Sequence, residues 1–260
     1  MRRLGVVVAL LLVAACGGSP TATRTATTAA AGPSSSADPA AGPVTVFAAS
    51  SLTEVFTALG ALYERQHPGA HVTFSFAGSQ SLVAQVQQGA PADVLATADA
   101  KSAASVQAEL AAAPVVLARN HLAIVTEKGD PLRLRTLADL ARAGVKVVLA
   151  GPTVPAGKAA RAALAAAGVT VHPVSEEPDV KAVVQKVRLG EADAGVVYAT
   201  DRRAAGADVG GVDLPGVSNA YPAAPLKEAA HAAAARAFLA LAGSPEGQAV
   251  FARFGFLPPG

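Results

Sequence analysis

From Val44 onward, short apolar stretches of strand length alternate with segments of helical periodicity, and that alternation leaves few folds open. Strands are predicted at Val44–Ala48, His71–Phe76, Asp93–Thr97, His121–Thr126, Lys146–Ala150, Val169–Val174, Asp193–Tyr198 and Tyr221–Leu226. Between them lies a helix carrying Leu52, Val55, Phe56, Leu59, Leu62 and Tyr63, stopped by His67-Pro68-Gly69. Further helices are expected through Leu82, Val83 and Val86, after Asp99, near Leu137–Ala143, and over Ala159–Ala167. Val180, Val183, Val184 and Val187 fall at i, i+3, i+4 and i+7, an apolar stripe ended by Gly190. A Gly-rich connection follows Tyr198, and two helices near Ala229–Ala242 and Pro245–Arg253 close the chain. Strands separated by helices imply an α/β architecture with largely parallel sheets. Aromatics supply only 4% of the residues, so a core of aliphatic strands and helices is expected rather than large aromatic clusters.

In open α/β sheets, ligands sit beyond the carboxyl ends of strands, where helices begin. Four helix starts stand out: Ala49-Ser50-Ser51-Leu52, Ala77-Gly78-Ser79-Gln80, Val154-Pro155-Ala156-Gly157 and Pro178-Asp179-Val180. None begins with Arg or Lys. A helix N-terminus leaves its first N–H groups unpartnered and carries roughly half a positive charge. Four of them converging would offer about two positive charges and many donors without a cationic side chain, which suits a dianion in a closed cleft. Each turn also has an ordinary reading: Ser51 and Glu54 match a capping box, Ser79 and Asp179 match N-caps, and Pro155 matches a first helical position. Tyr198 alone reads as a core aromatic.

The N-terminus is a targeting segment. Arg2 and Arg3 precede an apolar run from Leu4 to Ala15, too short for a permanent span, and Val13-Ala14-Ala15-Cys16 places the only cysteine where a bacterial lipobox would. Residues 1–15 are therefore expected to be a lipoprotein signal peptide, with Cys16 lipidated and anchoring the chain to the outer face of the cell membrane. Residues 16–42, rich in Gly, Ser, Thr, Pro and Ala, read as a flexible tether. Without Arg2 and Arg3 the 21 basic residues become 19, equal to the 19 acidic ones. A neutral body argues against nucleic acid as partner. The five histidines form no metal-spacing motif, no Gly-x-Ser-x-Gly elbow occurs, and no cysteine nucleophile remains after lipidation, so an enzyme is not expected.

In combination the motifs resemble those of periplasmic molybdate-binding proteins of ABC transporters. The resemblance runs in order through Val46-Phe47-Ala48-Ala49-Ser50-Ser51-Leu52, Phe76-Ala77-Gly78-Ser79-Gln80-Ser81-Leu82 with Gln85, and Gly89-Ala90-Pro91-Ala92-Asp93-Val94 with Ala98-Asp99. It continues in Val154-Pro155-Ala156-Gly157, Asp179-Val180, Gly195-Val196-Val197-Tyr198 and Phe251-Ala252-Arg253-Phe254-Gly255-Phe256. The resemblance implies a two-lobed type II periplasmic-binding-protein fold. Lobe I would comprise residues 43–124 plus 218–260, and lobe II residues 125–217. It assigns the oxyanion contacts to Ser51, Ser79, Ala156, Val180 and Tyr198, with no direct metal ligand and no cofactor. Molybdate, and with it tungstate, would be the transported ligand, the chain a monomer, and an ABC permease the partner. Gly78 and Gln80 depart from the family, which often has small hydroxyl residues there. Lys158 and Lys181 are expected to point away from the site.

A shell made only of donors cannot accept a proton from its ligand, so an unprotonated dianion is favoured over hydrogen phosphate. Sulfate satisfies the same rule and stands as the alternative ligand; its separation from molybdate depends on cavity size.

Overall fold

The computed structural model describes residues 38–260; the signal peptide, Cys16 and the tether as far as residue 37 lie outside the described residues. Residues 38–42, the expected end of the tether, are held to the body. Tyr63 Oη donates to the Ala40 carbonyl at 2.9 Å, His67 Nδ1 lies 2.6 Å from Asp38, and the His71 N–H reaches the Gly42 carbonyl.

The elements in chain order are β1 (Pro43–Ala49), α1 (Thr53–Gln66, entered through a 3-10 turn at Ser50–Leu52), β2 (His71–Ala77), α2 (Ser79–Gln87), β3 (Val94–Ala96), α3 (Ala100–Ala104), β4 (Val115–Glu127), β5 (Val147–Ala150), α4 (Pro155–Ala166), β6 (Ser175–Glu177), α5 (Val180–Arg188), β7 (Ala194–Tyr198), α6 (Ala199–Ala204), β8 (Val209–Pro225), α7 (Ala232–Gly243) and α8 (Pro245–Arg253). The strands form one mixed sheet in the order β2-β1-β3-β8-β4-β7-β5-β6. β1 is parallel to β2 and β3, and β5 is parallel to β6 and β7. The long strands β4 and β8 pair antiparallel between these two parallel sets. Their register shifts twice, between Val116 and Ala118 and, near the middle of β4, between His121, which pairs with Ser218, and Leu122, which already pairs with Leu214.

Three expectations need correction. The Gly-rich stretch after Tyr198 is not a connection: it contains α6 and the first half of β8. Its glycines serve close packing, since a Cβ on Gly211, at φ +124°, would lie 2.0 Å from the Ile124 carbonyl. The strand expected at Val169–Val174 is an irregular approach to β6, whose polar Ser175-Glu176-Glu177 sequence suits an edge strand. The segment near Leu137–Ala143 forms only a 3-10 turn, capped by Thr136 and Asp139.

The scarce aromatics are also concentrated rather than dispersed. A continuous series of ring contacts runs from Phe76 through Phe74, Phe56, Phe251, Phe256 and Tyr221 to Tyr198, with Phe238 branching from Phe56 and Tyr63 packed on Phe238. Most of these pairs are edge-on at 5.3–6.3 Å, the arrangement that ring quadrupoles favour. The helix-bearing core is thus braced by aromatics, and that brace ends on a residue of the candidate site.

Candidate functional site

The structure brings all five sequence-predicted site residues to the lining of one small cavity. Four of them begin helices: Ser51 follows β1, Ser79 follows β2, Ala156 follows β5 and Val180 follows β6. Tyr198 is the last residue of β7. Every contributor therefore stands at the carboxyl end of a strand belonging to one of the two parallel sets. The helix starts at Ser51 and Ser79 come from one set, those at Ala156 and Val180 from the other.

The capping explanations fail at the two serines and hold at Asp179. Ser51 makes no capping hydrogen bond, and Glu54 turns away to Lys181. Its buried Oγ makes no well-formed hydrogen bond among the described residues, although the Tyr221 hydroxyl is its near neighbour. The N-cap before α2 is Gly78, not Ser79. Ser79 Oγ instead accepts the Ala98 N–H at 3.0 Å, which leaves its own proton free to be donated. Asp179 is a true cap, accepting the N–H groups of Lys181 and Ala182 at 2.8 and 3.0 Å, and the N–H of Val180 stays uncommitted. Among the described residues, none of the N–H groups of Ser51, Ser79, Ala156 and Val180 has an acceptor.

Tyr198 is 1% exposed, and its hydroxyl is likewise buried without a partner. Burial, together with Tyr221 and the carboxylates of Asp201 and Asp99, raises its pKa well above the ordinary tyrosine value. The hydroxyl therefore remains protonated and available as a donor. Two orphaned hydroxyls on one cavity are a costly arrangement unless something that accepts hydrogen bonds completes it.

No charged side chain lines the cavity. The two nearby lysines are neutralised. Lys158 Nζ lies 2.5 Å from Asp99, and Lys181 Nζ lies 2.7 and 2.8 Å from the two Glu54 oxygens and 3.0 Å from Asp201. Burial pulls the Lys181 ammonium down, but Asp201 and Glu54 outweigh it and hold the pKa above its usual value. Both lysines are thus turned to carboxylates, as expected from their helices, but those partners were not visible in the spacing.

The glycines at the site are there for closeness. A Cβ on Gly157 would sit 2.1 and 2.3 Å from the Gly151 and Ala150 carbonyls, so only glycine lets α4 begin hard against the end of β5. Gly78 and Gln80, the departures from the family pattern, face the other parallel set. Gln80 Nε2 donates to the Pro178 carbonyl at 2.8 Å, and a Cβ on Gly78 would meet that same oxygen at 2.6 Å. A larger residue at 78 would keep the Val180 turn at a distance.

Sequence reasoning missed the polar layer behind the cavity. Asn120 Nδ2 donates to Thr200 Oγ1 at 2.8 Å and approaches the Tyr221 hydroxyl at 3.3 Å, while Asn219 holds the Ala98 carbonyl at 2.9 Å. Asn120 is fully buried, yet a lone asparagine in a strand gives no signal in sequence.

Residues 44–257 match the family model described as bacterial extracellular solute-binding protein. The chain belongs to that family. It is 41% identical over 233 residues to the molybdate-binding protein ModA of Mycobacterium tuberculosis, covering 87% of this chain and 89% of that one. Among solved structures, the periplasmic molybdate-binding protein of Azotobacter vinelandii superposes with a TM-score of 0.71 at 22% identity, over 84% of this chain and all of that one. The sulfate-binding protein SubI of Mycobacterium tuberculosis gives 0.74 at 20% identity, over 83% and 86%. These neighbours show the type II periplasmic-binding-protein fold. The relatives are solute-binding proteins rather than enzymes, and this chain, as a member of the extracellular solute-binding family, is of that class.

Proposed function

We propose that this family member captures molybdate, closes over it, and delivers it to an ABC permease. The observation that carries the reading is a cavity lined by hydrogen-bond donors with no charged side chain. Four hydroxyl residues, Ser50, Ser51, Ser79 and Tyr198, share it with four uncommitted helix N-terminal N–H groups, and the hydroxyls of Ser51 and Tyr198 are buried and unpartnered among the described residues. A bare tetrahedral dianion can accept from every one of them. Hydrogen phosphate fits less well, because its proton could be accepted only by a hydroxyl, which would then be lost as a donor to the anion. The curated molybdate-binding relative at 41% identity supports molybdate as the oxyanion; the structural likeness to a sulfate-binding protein bears on the fold alone.

In this reading the five contacts are Ser51, Ser79, Ala156, Val180 and Tyr198. The first two belong to lobe I (43–124 plus 218–260) and the rest to lobe II (125–217). The register break between β4 and β8, at His121–Leu122 opposite Leu214–Ser218, is the hinge. Strands that must flex are best interrupted where ladder pairing is already lost. Tungstate, which shares molybdate's charge and shape, is bound as well. Cys16 carries a lipid that holds the monomer at the outer face of the membrane, near its permease.

Isothermal titration of the purified chain with molybdate, tungstate, sulfate and phosphate tests this. Tight one-to-one binding of molybdate and tungstate is expected, with sulfate weak and phosphate silent. Sulfate binding as tight as molybdate would keep the donor-lined cleft but change the cargo. Silence with all four would return the helix starts to ordinary backbone geometry.

A further inference from the structure

Glu54, Lys181 and Asp201 come from three different helices, and each lies beside a different residue of the site. Glu54 is one turn after Ser51 on α1, Lys181 directly follows Val180 on α5, and Asp201 is one turn after Tyr198 on α6. Lys181 Nζ reaches both carboxylates: 2.7 and 2.8 Å to Glu54, and 3.0 Å to Asp201. The Asp201 carboxylate is 1% exposed, and neither oxygen makes a hydrogen bond among the described residues, so the lysine meets it as an ion and not as a well-formed donor. Burial pushes its pKa up to about 6 in spite of Lys181. A carboxylate kept in so poor a place adds little to the stability of the fold.

We infer that Lys181 is a positioning residue, which clasps the three donor-bearing helix starts at Ser51, Val180 and Tyr198 together in the closed cleft through Glu54 and Asp201. The inference rests on the proposed anion capture and hinge closure. The Glu54–Lys181 pair bridges the two parallel sets, so it exists only when Val180 stands opposite Ser51. Its energy therefore belongs to the closed state and appears as ligand affinity, chiefly as slow release. By holding the lysine's charge on carboxylates, the clasp also keeps a cation out of a seat made for bare oxygens. Asp99–Lys158 repeats the plan on the other side: Asp99 adjoins Ala98, which holds Ser79, and Lys158 lies two residues past Ala156.

The test is molybdate titration and stopped-flow release for the parent chain, Glu54→Gln, Lys181→Met, Lys181→Arg and the double variant Glu54→Gln/Lys181→Met. Each single loss should weaken binding about tenfold, as for a hydrogen bond to a charged group, mostly by faster release. The double variant should be no worse than Lys181→Met alone, since that change already removes the Glu54 contact. Lys181→Arg should recover part of the loss, and Glu54→Gln should leave the ligand-free melting temperature unchanged. Parent-like affinity in Glu54→Gln, or losses that multiply in the double variant, would overturn the clasp. A parent chain that ignores molybdate would instead overturn the proposed function. Should Lys181→Met not fold, Glu54→Gln and Lys181→Arg still decide.

Discussion

Val180→Pro is expected to weaken molybdate binding by at least about a hundredfold while leaving the protein folded. Proline is tolerated at the first position of a helix, because the missing N–H has no helical partner there. Val180 occupies that position in α5. The preceding residue is compatible too, since Asp179 sits at φ −157°, ψ 174°, in the extended region that a following proline requires. The cap is preserved, because Asp179 accepts from Lys181 and Ala182 and not from Val180. What the substitution removes is the one N–H that points out of the helix without a partner, and it puts a ring methylene in that place. A lost hydrogen bond to a charged acceptor costs about 1.5–3 kcal/mol, and the ring's bulk adds to that, so a loss of at least about a hundredfold is expected. Val180→Ala is the control. It keeps the N–H and trims a buried side chain, so it should cost stability but bind nearly as tightly as the parent. Calorimetry with molybdate and a melting curve on both variants separate the two effects; Pro binding like Ala would show that this backbone donor is not used.

The second large effect is a pair of changes with opposite signs. Ser51→Ala and Tyr198→Phe each delete a buried hydroxyl that makes no well-formed hydrogen bond among the described residues. Removing an unsatisfied polar group is neutral or stabilising, so the ligand-free melting temperature should stay the same or rise. Phenylalanine keeps the edge contact with Tyr221, where the ring centroids are 6.0 Å apart. Binding should move the other way, by about 1.5–3 kcal/mol for each hydroxyl, or at least about a hundredfold when the two are combined. An ordinary core tyrosine or helix-capping serine would behave differently: its loss would lower stability and leave affinity alone. That outcome would remove both residues from the site.

Much of this arrangement is legible in the sequence because helix starts carry strong local signals. Small or hydroxyl residues after a β-rich stretch marked Ser51, Ser79 and Ala156, and the valine stripe after Asp179 fixed the start of α5. Convergence is not local. Nothing in the spacing says that four turns spread from Ser51 to Val180 meet, and there the family resemblance did the work. What stayed hidden has a common physical origin. Gly210 and Gly211 look like a loop, yet they are small because β8 crosses Thr126 and Ile124 at close range. Lys181 points away from the site as expected, but its partners, Glu54, 127 residues away, and a buried aspartate, leave no trace in the spacing. In both cases a residue's role is set by a long-range neighbour, which periodicity and propensity do not record. The aromatic series from Phe76 to Tyr198 was hidden for the same reason: its members are scattered in sequence and adjacent only in the fold.

The most direct test of the cation-free cleft is a crystal structure of the chain with molybdate bound. The expected result is an anion whose oxygens lie about 2.7–3.1 Å from the hydroxyls of Ser51, Ser79 and Tyr198 and from the N–H groups of Ser51, Ser79, Ala156 and Val180. Lys158 should remain on Asp99, and Lys181 on Glu54 and Asp201. An anion met by the ammonium of either lysine, or seated away from the Ser51 and Tyr198 hydroxyls, would contradict a seat built from helix ends and hydroxyls alone.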